Sequence, residues 1–118
     1  MLFIYYPPCS TCQKAKKWLD EHGISYTERN IKEQNPTYEE LKQWHQASGL
    51  PLKKFFNTSG LLYKSMNLKE RLPNMTEEEQ LRLLATDGML VKRPVVVKEG
   101  TVLAGFREPA WEALLERE

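Results

Sequence analysis

Both cysteines of the chain, Cys9 and Cys12, fall within "PPCSTCQKAKK", between a short apolar run and a lysine-rich helical pattern. No other stretch constrains the fold as strongly, because the C-x-x-C spacing stands where a strand gives way to a helix. "LFIYY" (Leu2–Tyr6) is aromatic and β-branched, is stopped by Pro7 and Pro8, and reads as a buried strand. From Ser10 to His22 the apolar positions Cys12, Ala15, Trp18 and Leu19 recur at helical spacing, and Gly23 supplies a C-terminal stop. "ISYTERN" (Ile24–Asn30) then reads as a second strand. The first 30 residues predict β-α-β, and a crossover of this kind places its two strands parallel in one sheet.

The middle of the chain changes character. Thr37-x-x-Glu40 is a capping box ahead of Leu41 and Trp44, with Gly49 as the stop. Pro51 can open a short helix through Phe55 and Phe56. A second capping box, Thr76-x-x-Glu79, precedes Leu81, Leu84 and Ala85, and Gly88 is expected to end that helix. Strand character returns in "RPVVVKEGTVLAGF", where Pro94–Val97 and Val102–Gly105 flank a hairpin turn at Lys98–Thr101. Pro109 starts a last helix carrying Trp111, Leu114 and Leu115. The expected class is therefore α/β. The order resembles a thioredoxin-like (glutaredoxin-like) mixed sheet, with a helical insertion at 35–87 between a βαβ half and a ββα half. Segments 1–34 and 88–118 would form the core of a single domain spanning 1–118.

Composition narrows the function classes. With 118 residues, a net charge of +1 and 41% hydrophobic residues, the chain can bury one core and has no general electrostatic pull toward nucleic acid or anionic membrane. Its apolar runs are too short to span a bilayer, and "MLFIYY" lacks a basic leader. The expectation is a cytoplasmic protein with no membrane partner and no direct nucleic-acid partner. Thiols are kept reduced in that compartment, so the pair reads as catalytic, sensing or metal-binding before it reads as a permanent disulfide.

At a helix N-terminus, unpaired N–H groups and the helix dipole favour a thiolate on Cys9, and Lys14, Lys16 and Lys17 could add positive charge where they face the loop. Cys12, one turn along, could resolve a mixed disulfide formed on Cys9. Three other readings stay open. A zinc site would need further ligands, and His22 and His45 are too far apart in sequence to form the usual paired motif. A structural disulfide would close a very small loop, where stabilisation is least. Both thiols could also be packing residues. No metal or other cofactor is called for. Pro94, ahead of the third strand, can carry a cis Arg93–Pro94 bond if the fold analogy holds, and Arg93 would then approach the cysteines and could hold an anion. Lys53 and Lys54 read as a solvated helix face. Phe55, Phe56, Trp18, Trp44 and Trp111 read as core.

"YYPPCSTCQKAKKWLDEHGISYTERNI", "TDGMLVKRPVVV" and "GFREPAWEALL" together resemble the arsenate reductase-like (ArsC/Spx/MgsR type) family across essentially the whole chain. That family unites glutaredoxin-linked arsenate reductases with Spx-type redox-sensing transcription regulators. The resemblance implies that Cys9 is the nucleophile and that Cys12 stands where the reductases carry serine and many Spx-type members carry cysteine. A Cys9–Cys12 disulfide is then the expected oxidised state. It further implies that Arg93, with Arg107 near the C-terminus, binds the oxyanion or substrate, with Pro94 as fold-level support. Around "KKFFNTSG" the reductases have an arginine, whereas this chain has Asn57. The implied electron donor is glutaredoxin with glutathione, or thioredoxin. The implied substrate is arsenate, a protein disulfide or a glutathione mixed disulfide, and an Spx-type regulator would instead bind the RNA polymerase α subunit.

Overall fold

A computed structural model describes residues 1–115. Four strands form one sheet in the order β2-β1-β3-β4: β1 (Leu2–Tyr5), β2 (Thr27–Asn30), β3 (Val95–Lys98) and β4 (Thr101–Ala104). β1 pairs parallel with β2 and antiparallel with β3, and β3 with β4 form an antiparallel hairpin. Its two-residue turn places both Glu99 (φ 44°) and Gly100 (φ 83°) in the left-handed region, the geometry whose twist suits a tight hairpin. This is the α/β thioredoxin-like fold expected, with a mixed sheet.

The sheet separates two apolar layers by simple alternation along its strands. On one face Phe3 and Val96 pack with Ala15, Trp18 and Leu19 of α1 (Ser10–Glu21) and with Trp111 and Leu114 of α6 (Glu108–Leu115). Trp18 and Trp111 meet edge to face at 5.9 Å, and the Trp111 indole N–H donates to the Gly105 carbonyl at 3.1 Å, so the buried ring leaves no polar group unpaired. On the other face Ile4, Val95 and Val102 pack against the helical segment: α2 (Tyr38–Ser48), α3 (Leu61–Ser65), α4 (Leu68–Arg71), α5 (Glu77–Leu84) and short 3₁₀ turns among them. Trp44, Phe55 and Phe56 are buried here, as their spacing implied.

Both capping boxes form with reciprocal hydrogen bonds, at Thr37–Glu40 and Thr76–Glu79. Glu40 has a second role. The Arg29 guanidinium of β2 donates to both of its carboxylate oxygens, at 2.6 and 2.9 Å, which ties the start of α2 to the sheet. Beyond one-residue shifts at several ends, three boundaries differ from expectation. β2 begins at Thr27, because Ile24 is held by its N–H bond to the Leu19 carbonyl and packs with Tyr26 in the α1–α6 layer. The segment after Pro51 is a 3₁₀ turn, Leu52–Phe55, because Phe56 bridges to Val91 instead of continuing a helix. α5 ends at Leu84, before Gly88, where the Asn35 side-chain amide donates to the Ala85 carbonyl at 2.6 Å. Gly88 instead begins the 3₁₀ turn Gly88–Leu90, pressed against Ile31. The last residues of the 88–118 segment, 116–118, lie outside the described residues.

A Cβ at Gly88 would come within 2.2 Å of the Ile31 carbonyl oxygen, a backbone atom that cannot swing aside. Gly88→Ala should therefore destabilise by about 1–3 kcal/mol, as overpacking does. Urea unfolding checks this, with a lower midpoint expected at an unchanged slope.

Candidate functional site

The β1–α1 junction is built by local bonds. The Cys9 N–H donates to the Tyr6 carbonyl at 2.9 Å, closing a turn over Pro7 and Pro8, and the Gln13 side-chain amide donates back to the Pro7 carbonyl at 3.0 Å. Cys9 becomes the N-cap of α1 with extended backbone angles, and the first turn of the helix contains no acidic residue to oppose a thiolate. Cys9 is half-buried, Cys12 fully buried one turn along, and both are free thiols. The Tyr6 N–H points to the Cys12 sulfur at 3.5 Å, which holds the second thiol beneath the first.

The antiparallel register Ile4↔Val95 brings the far end of the chain to this junction, since residues following β1 then lie beside residues preceding β3. The Arg93–Pro94 peptide there is cis and Pro94 is buried. The Arg93 guanidinium stacks over the Tyr6 ring at 5.1 Å, and its Nη1 donates to the Met89 carbonyl at 3.4 Å. Its Nε is buried with no hydrogen-bond partner among the described residues.

These surroundings set the two thiols apart. Burial works to raise the Cys9 pKa, but the Cys12 backbone N–H and thiol, and then the Arg93 cation, work against it and prevail, leaving Cys9 below an ordinary thiol. Burial pushes Cys12 up to about 12, with a further rise from the neighbouring Cys9, against a lowering by the Tyr6 N–H. One thiol is thus poised to ionise and its neighbour to stay protonated. The charge acting on Cys9 is that of Arg93. Lys16, which the sequence offered for that role, turns instead to Glu28 on β2 and lies over the Tyr5 ring, while Lys14 and Lys17 are exposed on α1.

Cys9 opens onto a cleft of about 1090 Å³ that also reaches Arg93 and Arg107. Arg107 is exposed on the rim, just ahead of α6. Of the expected site residues, Cys9, Arg93 and Arg107 therefore share one cavity, with Cys12 and Pro94 buried behind it. Sequence reasoning missed two groups. Tyr6, read only as part of a strand, supplies both the N–H to Cys12 and the ring under Arg93. Lys53 and Lys54 are exposed as expected, yet they line the same cleft, together with Lys92. They are brought there by the stitching of the 3₁₀ turn to the strand approach: the Asn57 N–H donates to the Leu90 carbonyl at 2.8 Å and the Lys92 N–H to the Phe55 carbonyl at 2.7 Å.

No group of three or more metal-ligating side chains occurs among the described residues, and no described helix is long and apolar enough to cross a membrane.

A parallel β-α-β unit joined to a β-β-α unit, with C-x-x-C at the first strand–helix junction, defines a protein of thioredoxin-like fold. Residues 4–114 match the ArsC family. A solved structure of an ArsC family related protein from Bacteroides fragilis superposes with a TM-score of 0.94 at 64% identity, covering 96% of this chain and 95% of that one. That of a possible arsenate reductase from Streptococcus mutans superposes with a TM-score of 0.84 at 46% identity, covering 90% of each chain. The regulatory protein MgsR of Bacillus subtilis is 32% identical over 90% of this chain and 82% of its own. The chain belongs to the ArsC family.

The electrostatics give a direct expectation. The rate of iodoacetamide labelling at Cys9 should rise with pH and level off at a midpoint below that of an ordinary thiol, about 8.5. Cys12 should stay unlabelled through that range. Arg93→Leu removes a cation that favours the thiolate, so the Cys9 midpoint should move to higher pH and labelling at neutral pH should slow. Mass spectrometry of the two cysteine peptides reads both effects; an unchanged Cys9 profile in Arg93→Leu would remove Arg93 from this role.

Proposed function

We propose that the protein is a cytoplasmic thiol–disulfide oxidoreductase in which Cys9 attacks and Cys12 resolves. The observation that carries this reading is the opposed state of the two thiols. Cys9, at the helix N-terminus beside Arg93, is lowered, and Cys12, buried one turn behind, is raised. The Cys9 thiolate attacks one sulfur of a disulfide, forming a mixed disulfide and releasing the other sulfur as a thiolate. The Cys12 thiol gives up its proton to that leaving thiolate or to solvent and attacks the Cys9 sulfur. The products are a Cys9–Cys12 disulfide and a second substrate thiol: the protein loses two electrons and the substrate gains two. Arg93 and Arg107 hold the anionic part of the substrate, and Pro94, buried behind the cleft, supports Arg93 from within the fold. No non-protein cofactor enters. Glutaredoxin with glutathione, or thioredoxin, restores the dithiol.

Arsenate is the oxyanion that the family suggests. Two guanidinium groups reach this cleft, and Asn57, at the position where the reductases carry a further arginine, lines it without a bidentate cation. Each missing charge-assisted bond is worth about 1.5–3 kcal/mol. Asn57→Arg should therefore lower the arsenate concentration that gives half-maximal oxidation of the protein by at least about tenfold.

A second reading is supported by the likeness to MgsR: a redox-sensing regulator that binds the RNA polymerase α subunit and is switched by the Cys9–Cys12 disulfide. Capture of the polymerase α C-terminal domain that differs between oxidised and reduced protein would favour it.

The oxidoreductase reading is tested by trapping. Cys12→Ser should accumulate a mixed disulfide on Cys9 with a small disulfide such as hydroxyethyl disulfide, and Cys9→Ser should give none. Trapping on position 12 in Cys9→Ser at the wild-type rate would assign the roles the other way round.

A further inference from the structure

The chain carries 17 basic and 16 acidic residues. Five of the basic ones, Lys53, Lys54, Lys92, Arg93 and Arg107, line the cleft beside Cys9, and among the described residues no aspartate or glutamate lines it. None of the five takes part in an ion pair among the described residues, where the pairs are Lys16–Glu28, Arg29–Glu40 and Arg82–Glu78. A near-neutral chain has thus gathered one sign of charge into a single concavity, which strengthens its field there and draws in anions.

Charge alone would suit a small oxyanion, but the dimensions do not. A volume of about 1090 Å³ lies just above the usual range of sites that enclose ligands many times larger than a tetrahedral anion. An anion held at Arg93 beside Cys9 would leave the lysines of the 3₁₀ turn and the apolar part of the wall unused. That wall includes Leu61, which is 87% exposed at the start of α3 and is the one large apolar side chain standing out from the surface among the described residues. An exposed leucine in a cleft that also carries three lysines fits a ligand that is itself both acidic and apolar.

We propose that the cleft receives an acidic segment of a partner protein, with an apolar side chain against Leu61 and a disulfide sulfur presented to Cys9. The proposal rests on the oxidoreductase reading and names its substrate class. Carboxylates of the segment pair with Lys53, Lys54 and Lys92 along the cleft, and one nearer the disulfide accepts from Arg93, whose buried Nε has no partner among the described residues. The chemistry is the exchange given above. The Cys9 sulfur bonds to the segment's disulfide sulfur and the other half leaves as a thiolate. Attack by Cys12 then frees the segment's thiol and leaves the protein disulfide.

The test uses reduced full-length protein and three nine-residue peptides, each with one cysteine joined in a disulfide to thionitrobenzoate. The residues around the cysteine are a leucine plus glutamates, the same leucine plus glutamines, or the same leucine plus lysines. Absorbance reads the thionitrobenzoate released, and the shared leaving group cancels in the comparison. The acidic peptide should react at least about tenfold faster than the neutral one at low salt, and the lysine peptide slower than both. The acidic advantage should shrink as salt rises to about 0.5 M. In the doubly substituted Lys53→Glu, Lys54→Glu protein, the ratio of acidic to neutral rates should fall to about one or below, a ratio insensitive to any general change in Cys9 reactivity. Equal rates for the three peptides on unsubstituted protein, with Cys9→Ser inactive, would overturn the substrate class and leave the oxidoreductase reading standing. The mixed disulfide of glutathione with thionitrobenzoate, which shares the leaving group, reacting as fast as the acidic peptide and with the same loss on charge reversal would reassign the cleft to a small anionic thiol. No release from any peptide would remove the oxidoreductase reading and this proposal with it.

Discussion

The pairing of β1 with β3 is the constraint on which the rest depends. β1 lies between a parallel partner, β2, and an antiparallel one, β3, and is buried through Phe3 on one face and Ile4 on the other. A shift of one residue in this pairing would turn both side chains to the wrong layer, so the register is held by two cores at once. The same register fixes the chemistry. It sets the residues after β1, including Tyr6 and Cys9, against the residues before β3, including Arg93, although more than 80 positions separate Cys9 from Arg93 in the chain. A cation that could not be local to the C-x-x-C stretch is thereby made its neighbour.

Within that frame the two thiols are separated by depth. Cys9 caps a helix and opens to the cleft, so its charged form is met by amide and guanidinium donors. Cys12 sits beneath, where burial dominates. The sequential roles we propose rest on that asymmetry, because the thiol more readily ionised is also the one that opens to the cleft. The helical segment contributes the far wall. Its link to the Leu90–Lys92 stretch is made by backbone hydrogen bonds and the Phe56–Val91 bridge, so the position of the lysines depends little on their own side chains.

Much of this was legible in the chain. The strand before Pro7, the helix from Ser10, both capping boxes and the hairpin at Glu99-Gly100 are local signals, and each formed where its residues indicated. Where local signal failed, a tertiary bond decided. Ile24 and Tyr26 look like strand residues but serve the helix layer. α5 stops short of Gly88 because Asn35, some 50 positions away, meets the Ala85 carbonyl. For the site, the cysteines stood out by their spacing at a strand–helix junction, whereas Arg93 came from the fold analogy and Arg107 from the family resemblance. Lys53 and Lys54 could not be singled out, since a pair of exposed lysines on a short turn has no local mark that distinguishes a cleft wall from open surface. Tyr6 was hidden for a similar reason: its function lies in a backbone N–H and a ring face, neither of which sequence pattern reports.

The central claim is that Cys9 and Cys12 form one two-electron couple. Equilibrating the protein in glutathione buffers of graded potential, quenching with acid and alkylating, then weighing the intact chain, tests it most directly. The account predicts a single transition fitting two electrons, from a doubly alkylated species to an unalkylated internal disulfide, with no glutathione retained at equilibrium. A stable singly glutathionylated chain with Cys12 still free, or two alkylatable thiols at every potential, would contradict it.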